Sequence, residues 1–429
     1  MIKDCDVLII GTGISGLYSA LNLNSNLKII LVTKDTLLNC NSYLAQGGIS
    51  TALNSNDIKS FQEDTILAGN FKNDPSAVKI LTKESLYNIK NLINLGVKFD
   101  TYENNLHYTK EGGHKTNKIV HVKDQTGKAV MEILLKKVLS RKNITILENT
   151  KLIDIIKKSR CIGGLFLSNN IYFNIYSKFT ILATGGIGGL FNSSTNVESS
   201  TGDGLAIAFT HDIELKDMEY LQLHPTVLYE KDKNGKKLLL SESLRGEGGK
   251  ILNLKKEAFI TPLLPRDTVS KAILKEIEKS NSKPYVYLDM RHLGKDFLNF
   301  RFPYIYNKCL EKGYSLDKQL IPISPAHHYC MGGIKVNKDS ATSLLGLYAV
   351  GEVSCTGVHG SNRLASNSLL EALVFSRRCA LNINSLINKI TPLISNFSFN
   401  IEHKDITHDN FINFLKGKDD NRYNELFIN

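Results

Sequence analysis

The first sixteen residues constrain the fold more than any other stretch of the chain. Cys5 to Ile10 is a short apolar run, Gly11-Thr12-Gly13-Ile14-Ser15-Gly16 follows, an amphipathic stretch reaches about Leu23, and a second apolar run spans Lys28 to Thr33. The order reads as strand, glycine turn, helix, strand. A G-x-G-x-x-G match is weak by itself, but between a strand and a helix it marks a dinucleotide-binding unit. The first glycine makes the tight turn, the second admits a pyrophosphate close to the backbone, and the third lets helix and strand pack. The helix N-terminus faces the phosphates.

Two distant segments repeat part of this pattern. Phe179 to Thr184 runs into Gly185-Gly186, and Leu345 to Val350 runs into Gly351-Glu352. Both read as parallel strands ending in a glycine, the place where an open α/β sheet takes its ligand. The expected fold is therefore α/β, a discontinuous Rossmann-like nucleotide domain over residues 1–215 and 326–390. An inserted α+β capping domain is expected over 216–325, a region that holds seven of the nine prolines. After Ser366 a helical pattern runs to about Ile387, and 391–429 reads as a short polar tail.

Composition excludes several classes. The net charge of +11 suggests nucleic acid or an anionic membrane. However, 43 of the 53 cationic residues are lysines scattered through the chain, with no basic arm, so neither partner is expected. The ten arginines are scarcer and more informative, because the guanidinium fork holds carboxylates bidentately. Seven widely spaced cysteines with no C-x-x-C pair indicate neither a disulfide framework nor a metal site. With no signal-peptide pattern and no long uncharged apolar stretch, a cytoplasmic protein is expected.

The choice of dinucleotide rests on the remaining glycines. A nicotinamide site usually carries an acidic residue at the end of the second strand to hold the ribose, whereas here that strand ends Val32-Thr33-Lys34-Asp35. Further small-residue segments, Ala45-Gln46-Gly47-Gly48, Ala183-Thr184-Gly185-Gly186, Thr201-Gly202-Asp203-Gly204 and Gly351-Glu352, suit a longer ligand approached by backbone at several points. FAD with its ribityl chain is such a ligand.

The segments NSYLAQGGI (41–49), KEGGH (110–114), TGDG (201–204), LQLHPT (221–226), SESLRGEGG (241–249), LPRD (264–267), HYCMGG (328–333) and GVHGSNRLASNSLLEA (357–372) lie in one order. In these motifs the chain resembles the fumarate reductase/succinate dehydrogenase flavoprotein superfamily, and within it the branch that oxidises aspartate. The resemblance implies FAD contacts at Gly11, Gly13, Ser15, Gly16, Lys34, Asn41, Ser42, Gln46, Gly47, Gly48, Thr184, Gly185, Gly186, Asp203, Glu352, Asn367, Ser368 and Leu369. Members that bind FAD covalently carry a histidine five residues before the Gln of AQGG; Asn41 stands there, which implies a non-covalent flavin.

Where dicarboxylate enzymes of the superfamily have an aromatic residue before paired glycines, this chain has Glu111. A carboxylate beside the substrate pairs with an ammonium group, which aspartate has and succinate lacks. The resemblance implies substrate contacts from His224, Ser241, Glu242, His328 and Arg363, and a proton shuttle at Arg266. His224 can equally be a buried structural histidine, Arg266 can pair with Asp267 or a nearby glutamate, and Glu242, Arg245 and Glu247 form either a proton relay or a knitted loop. His328 is chosen over His327 by the HY pair.

The implied reaction takes hydride from C2 of L-aspartate to FAD, giving iminoaspartate, with oxygen or fumarate reoxidising the flavin. A link to quinolinate synthase and NAD synthesis follows from the resemblance alone. The competing readings are a soluble fumarate reductase with non-covalent FAD and a flavin- or RNA-binding protein without this activity. The branch commonly continues into a further helical domain, which the 429 residues are expected largely to lack.

Overall fold

Val7 to Ile10 is an unbroken apolar run because both faces of its strand are covered. A computed structural model describes residues 3–231, 235–280, 282–390 and 408–418. Of the expected tail, 391–407 and 419–429 lie outside the described residues.

The N-terminal strand β1 (Lys3–Ile10) turns through the glycines into the helix Ile14–Asn22 and then into β2 (Ile29–Val32). Further strands are β3 (Ile144–Leu147), β4 (Lys151–Lys157), β5 (Cys161–Ser168) and β6 (Ile171–Leu182). They form one sheet in the order β3-β2-β1-β6-β5-β4. The β1, β2, β3 and β6 pairings are parallel, whereas β4, β5 and the first half of β6 make an antiparallel meander. The apolar pattern exposed only the last half of β6, because Tyr172, Asn174 and Lys178 break the run.

A second sheet contains β7 (Leu221–Leu228), β8 (Lys250–Leu252), β9 (Val286–Asp289) and the long β10 (Ile321–Cys330). Its order is Gly235–Lys236, Ser193–Ser194, β10, β9, β8, with β7 pairing β10 antiparallel. β10 runs without a break across residues 325 and 326, where the expected division falls. This sheet has a core of its own, including Val269, Ile273, Leu288, Phe302 and Ile323.

The chain then returns to the first sheet. β11 (Leu347–Ala349) lies parallel to the end of β6, pairing Thr180 with Leu347 and Leu182 with Ala349. It is shorter than its apolar run because Gly346 and Gly351, with φ of +78° and +72°, bend the chain at each side.

Period two sorts the side chains of β1 into two layers. Val7 and Ile9 face the helices Ile14–Asn22 and Asn367–Leu386, through Leu17, Leu370 and Leu373. Leu8 and Ile10 face Leu205 and Ile207 of the helix Asp203–Thr210. The helix His408–Lys416, inside the segment read as a polar tail, joins this second layer through the buried Phe411 and Leu415. The result is a helix–sheet–helix sandwich with the second sheet set on its ligand-binding edge. Among the described residues no helix is long and apolar enough to cross a membrane.

Candidate active site

A cavity of about 440 Å³ opens where β1, β2, β6 and β11 end and extends to residues of the second sheet. That volume is in the range of small-molecule and cofactor sites. The three glycines of the opening motif meet different surroundings. A Cβ on Gly11 would lie 2.1 Å from the Ala183 carbonyl oxygen, and one on Gly16 would lie 1.9 Å from that of Gly11. Gly13 instead lines the cavity, and a Cβ there would meet nothing nearer than Ser42 Oγ at 3.3 Å. Gly13 has no side chain to cap the helix that follows, and Ser42 Oγ accepts from the Ile14 amide at 3.1 Å, so the helix N-terminus opens on the cavity beside that serine.

Most of the expected cofactor residues converge on this cavity. Gly11, Gly13, Ser15, Lys34, Asn41, Ser42, Gln46, Gly47, Gly48, Thr184, Gly185, Asp203, Glu352, Ser368 and Leu369 all line it. Lys34 Nζ sits 2.6 Å from Asp203 Oδ2 and donates to Thr201 Oγ1 at 2.8 Å, tying the TGDG turn to the end of β2. Asn41 accepts from the Val197 amide at 2.8 Å. Burial raises the Glu352 carboxyl to about 7.

Three expected contacts support the cradle from behind and do not line it. Gly16 serves helix–strand packing, and Gly186 makes room for Glu352, whose Oε1 lies 2.3 Å from where a Cβ would stand. Asn367 accepts from Ser50 Oγ at 2.5 Å and donates to Thr65 Oγ1 at 3.3 Å. The glycine cradle, the helix N-terminus that opens on the cavity and the string of small residues fit FAD.

At the far end the cavity becomes charged. Arg266 starts the helix Arg266–Ser280, and its Nε donates to Glu242 Oε2 at 2.5 Å. Glu242 Oε1 accepts from the Gly112 amide at 3.0 Å and lies 3.0 Å from Arg245 Nη2. Arg266 therefore pairs with Glu242, not Asp267. Burial alone would raise the Glu242 carboxyl, but the guanidinium groups of Arg245 and Arg266 outweigh it and hold it below its ordinary value. Glu247 turns away to Arg301, 3.3 Å from its Nε, and takes no part in this chain.

His224 and His328 both line the cavity, their ring centroids 5.0 Å apart. Burial, reinforced by the Arg266 charge, holds both well below the usual histidine range, so both are neutral. The Thr226 amide donates to His224 Nδ1 at 3.3 Å, which leaves the ring proton of neutral His224 on Nε2. His328 Nδ1 pairs with Thr195 Oγ1 at 2.7 Å. His327 instead stacks on Phe191 with centroids 3.8 Å apart, on the other face of the strand.

Arg363 is buried, with its guanidinium 4.4 Å above the centre of the Tyr329 ring. Its Nη1 donates to Ser368 Oγ at 2.7 Å, and its Nε has no hydrogen-bond partner among the described residues. Burial, with Arg266 nearby, lowers it to about 10, so it remains a cation at neutral pH. Ser241, which caps the short helix Glu242–Gly246, lines the cavity beside these groups.

Glu111 is 2% exposed and reaches the same cavity. Ser243 Oγ donates to its Oε1 at 2.7 Å and Ser366 Oγ to its Oε2 at 2.6 Å. A Cβ on Gly47 would come 3.0 Å from Oε1, so Gly47 is small because Glu111 lies against it.

Sequence reasoning missed several members of the site. Gln222 accepts from Arg266 Nη1 at 3.0 Å and donates to Asn362 Oδ1 and the Arg363 carbonyl, joining the two arginine segments. Its position two residues before His224 on a strand was the available signal. Ser243, Ser366, Thr195 and Asn196 carry no such signal, since serine, threonine and asparagine near glycines read as turn residues.

This fold and cavity define an FAD-dependent flavoprotein, and residues 6–369 match the FAD binding domain family. The chain resembles E. coli quinol fumarate reductase FrdA in structure, with a TM-score of 0.86, 29% identity, and coverage of 92% of this chain and 72% of that one. Its sequence is 54% identical over 387 residues to L-aspartate oxidase of Clostridium acetobutylicum, covering 90% of this chain and 89% of the relative. It is 53% identical to L-aspartate oxidase of Clostridium perfringens over 92% and 90% of the two chains. The chain belongs to the L-aspartate oxidase family of FAD-dependent enzymes.

Proposed function

We propose that the protein oxidises L-aspartate to iminoaspartate, with oxygen or fumarate as the final electron acceptor. The observation that carries this reading is Glu111, a carboxylate set into a cavity whose other groups are those a dicarboxylate needs. Two carboxylates and one ammonium group on a four-carbon chain complement that set.

In this reading Arg363, His328 and the Nε2–H of His224 hold the substrate carboxylates, and the Ser241 hydroxyl turns to them from Ser243 when substrate enters. Neutral histidines donate hydrogen bonds without adding charge, so the cationic work falls on Arg363 and Arg266. Glu111 accepts the ammonium and thereby turns C2 toward the cofactor. FAD, when bound, supplies the two-electron acceptor for the hydride that leaves C2. The aspartate nitrogen loses one proton as the imine forms, and the Glu111 carboxylate beside it is the group placed to take that proton.

With fumarate in the same site, Arg266 hands a proton to carbon and is recharged through Glu242 and Arg245, which touch in that order. Residues 216–325 act as the cap that excludes water over this site. Non-covalent FAD is held by the Gly11–Gly16 turn, Lys34, Asp203 and the Asn41–Gly48 segment. The product iminoaspartate feeds quinolinate formation, which links the protein functionally to quinolinate synthase in the cytoplasm.

Anaerobic addition of L-aspartate to the purified yellow protein tests the reading. Bleaching of the flavin band is the expected result. No bleaching by aspartate, together with reoxidation of chemically reduced protein by fumarate, would assign the chain to the fumarate reductases.

A further inference from the structure

Ser366 breaks two local rules at once. It stands at the N-cap of the helix Asn367–Leu386, where a serine hydroxyl ordinarily accepts from an amide of the first turn. Here no such bond is made. Its backbone also lies in the left-handed region, φ +62° and ψ 4°, which a residue with a Cβ adopts rarely and at a cost. Its carbonyl is held in place by the Ser50 amide at 3.1 Å. The hydroxyl so displaced donates to Glu111 Oε2 at 2.6 Å.

Ser243 completes the arrangement from the second sheet's side. Ser241 Oγ donates to Ser243 Oγ at 3.2 Å, and Ser243 Oγ donates to Glu111 Oε1 at 2.7 Å. Each carboxylate oxygen is thus held by one hydroxyl, and the three residues come from three separate parts of the chain. A carboxylate fixed at both oxygens cannot swing to follow whatever ligand is present, so its remaining lone pairs address one point in the cavity.

We infer that Ser366 is a positioning residue for amine recognition: its strained, uncapping conformation aims Glu111, and so sets the preference for an amino dicarboxylate over one without the amine. The inference rests on aspartate as the substrate.

The experiment titrates anaerobic holoenzyme with L-aspartate and with succinate, reading half-saturation from the flavin absorbance as bleaching or as a spectral shift. In Ser366→Gly the aspartate-over-succinate preference falls about tenfold, the scale of one hydrogen bond to a charged group. The thermal midpoint holds or rises, because glycine relieves the strain. Ser366→Ala loses the same preference with a lower midpoint than Ser366→Gly. A preference within twofold of wild type in both variants overturns the inference, as does a parallel loss of affinity for the two ligands. Absence of bleaching in the wild type defeats the oxidase reading, while the preference ratio still judges Ser366.

Discussion

Replacing Glu111 by glutamine keeps the shape but removes the charge that faces the substrate ammonium, and it reverses one of the two serine contacts, because the amide nitrogen donates where the carboxylate oxygen accepted. A charge-assisted hydrogen bond contributes roughly 1.5–3 kcal/mol, so kcat/KM for aspartate should fall by about ten- to a hundredfold. Fumarate reduction by the same variant should fall far less, because fumarate has no amine. Steady-state assays in the two directions check this, and an equal fall would remove Glu111 from amine recognition. The two neutral histidines make a second residue-scale prediction. Their folded values lie below the ordinary 6.5, so the unfolded chain binds more protons once the pH drops under that value. Their contribution is complete above about pH 6.5 and is lost on acidification, by at most about 1.4 kcal/mol per pH unit for each. Glu352, raised to about 7, works the opposite way between its ordinary 4.5 and 7 and offsets one of them. Thermal midpoints of ligand-free protein between pH 7.5 and 5.5 should therefore fall less steeply in His328→Gln than in the wild type. At this scale arginine was the most legible residue: scarcity and chemistry drew attention to Arg266 and Arg363. Gln222 and Ser366 stayed hidden because what they do depends on partners brought from elsewhere in the chain, at distances no local pattern encodes.

The glycine turn after β1 shows how one element divides structural from ligand-facing work. Gly16→Ala drives a methyl group into the Gly11 carbonyl, and the protein should be recovered poorly folded or insoluble. Gly13→Ala meets only the flexible Ser42 hydroxyl, so the apoprotein should keep its thermal midpoint while FAD affinity drops by an order of magnitude or more. Denaturation of apoprotein combined with a flavin fluorescence titration separates the two outcomes; equal folding of both variants would contradict the assignment. Elements with strong periodicity were readable from the chain alone: β1, β2, the glycine-turn helix and the helix after Ser366 all lie within a few residues of their expected bounds. The first half of β6 was not readable, since it joins an antiparallel meander with one wetter face, where polar residues interrupt the apolar run.

For the whole molecule, the helix His408–Lys416 matters more than its polar neighbourhood in the sequence suggested. Phe411 packs behind the Asp203–Thr210 helix, and a Cβ on Gly202 would come 3.4 Å from its ring. Phe411→Ala should destabilise the protein by about 3–5 kcal/mol. It should also weaken FAD binding, because the turn it supports carries the Asp203–Lys34 pair. Calorimetry and flavin titration of that variant measure both effects, and an unchanged midpoint would show that the helix is dispensable. The pairing of β11 with β6 has a consequence for how such a chain comes off the ribosome. About 165 residues separate Leu182 from Leu347, yet the two strands are neighbours in the flavin-binding sheet. At roughly 5–20 residues per second, the newborn β6 waits about ten to thirty seconds with one edge unsatisfied. Flavin loading is thus a late event, and overproduction without a holding chaperone should divert the nascent chain into aggregates before the last strand arrives.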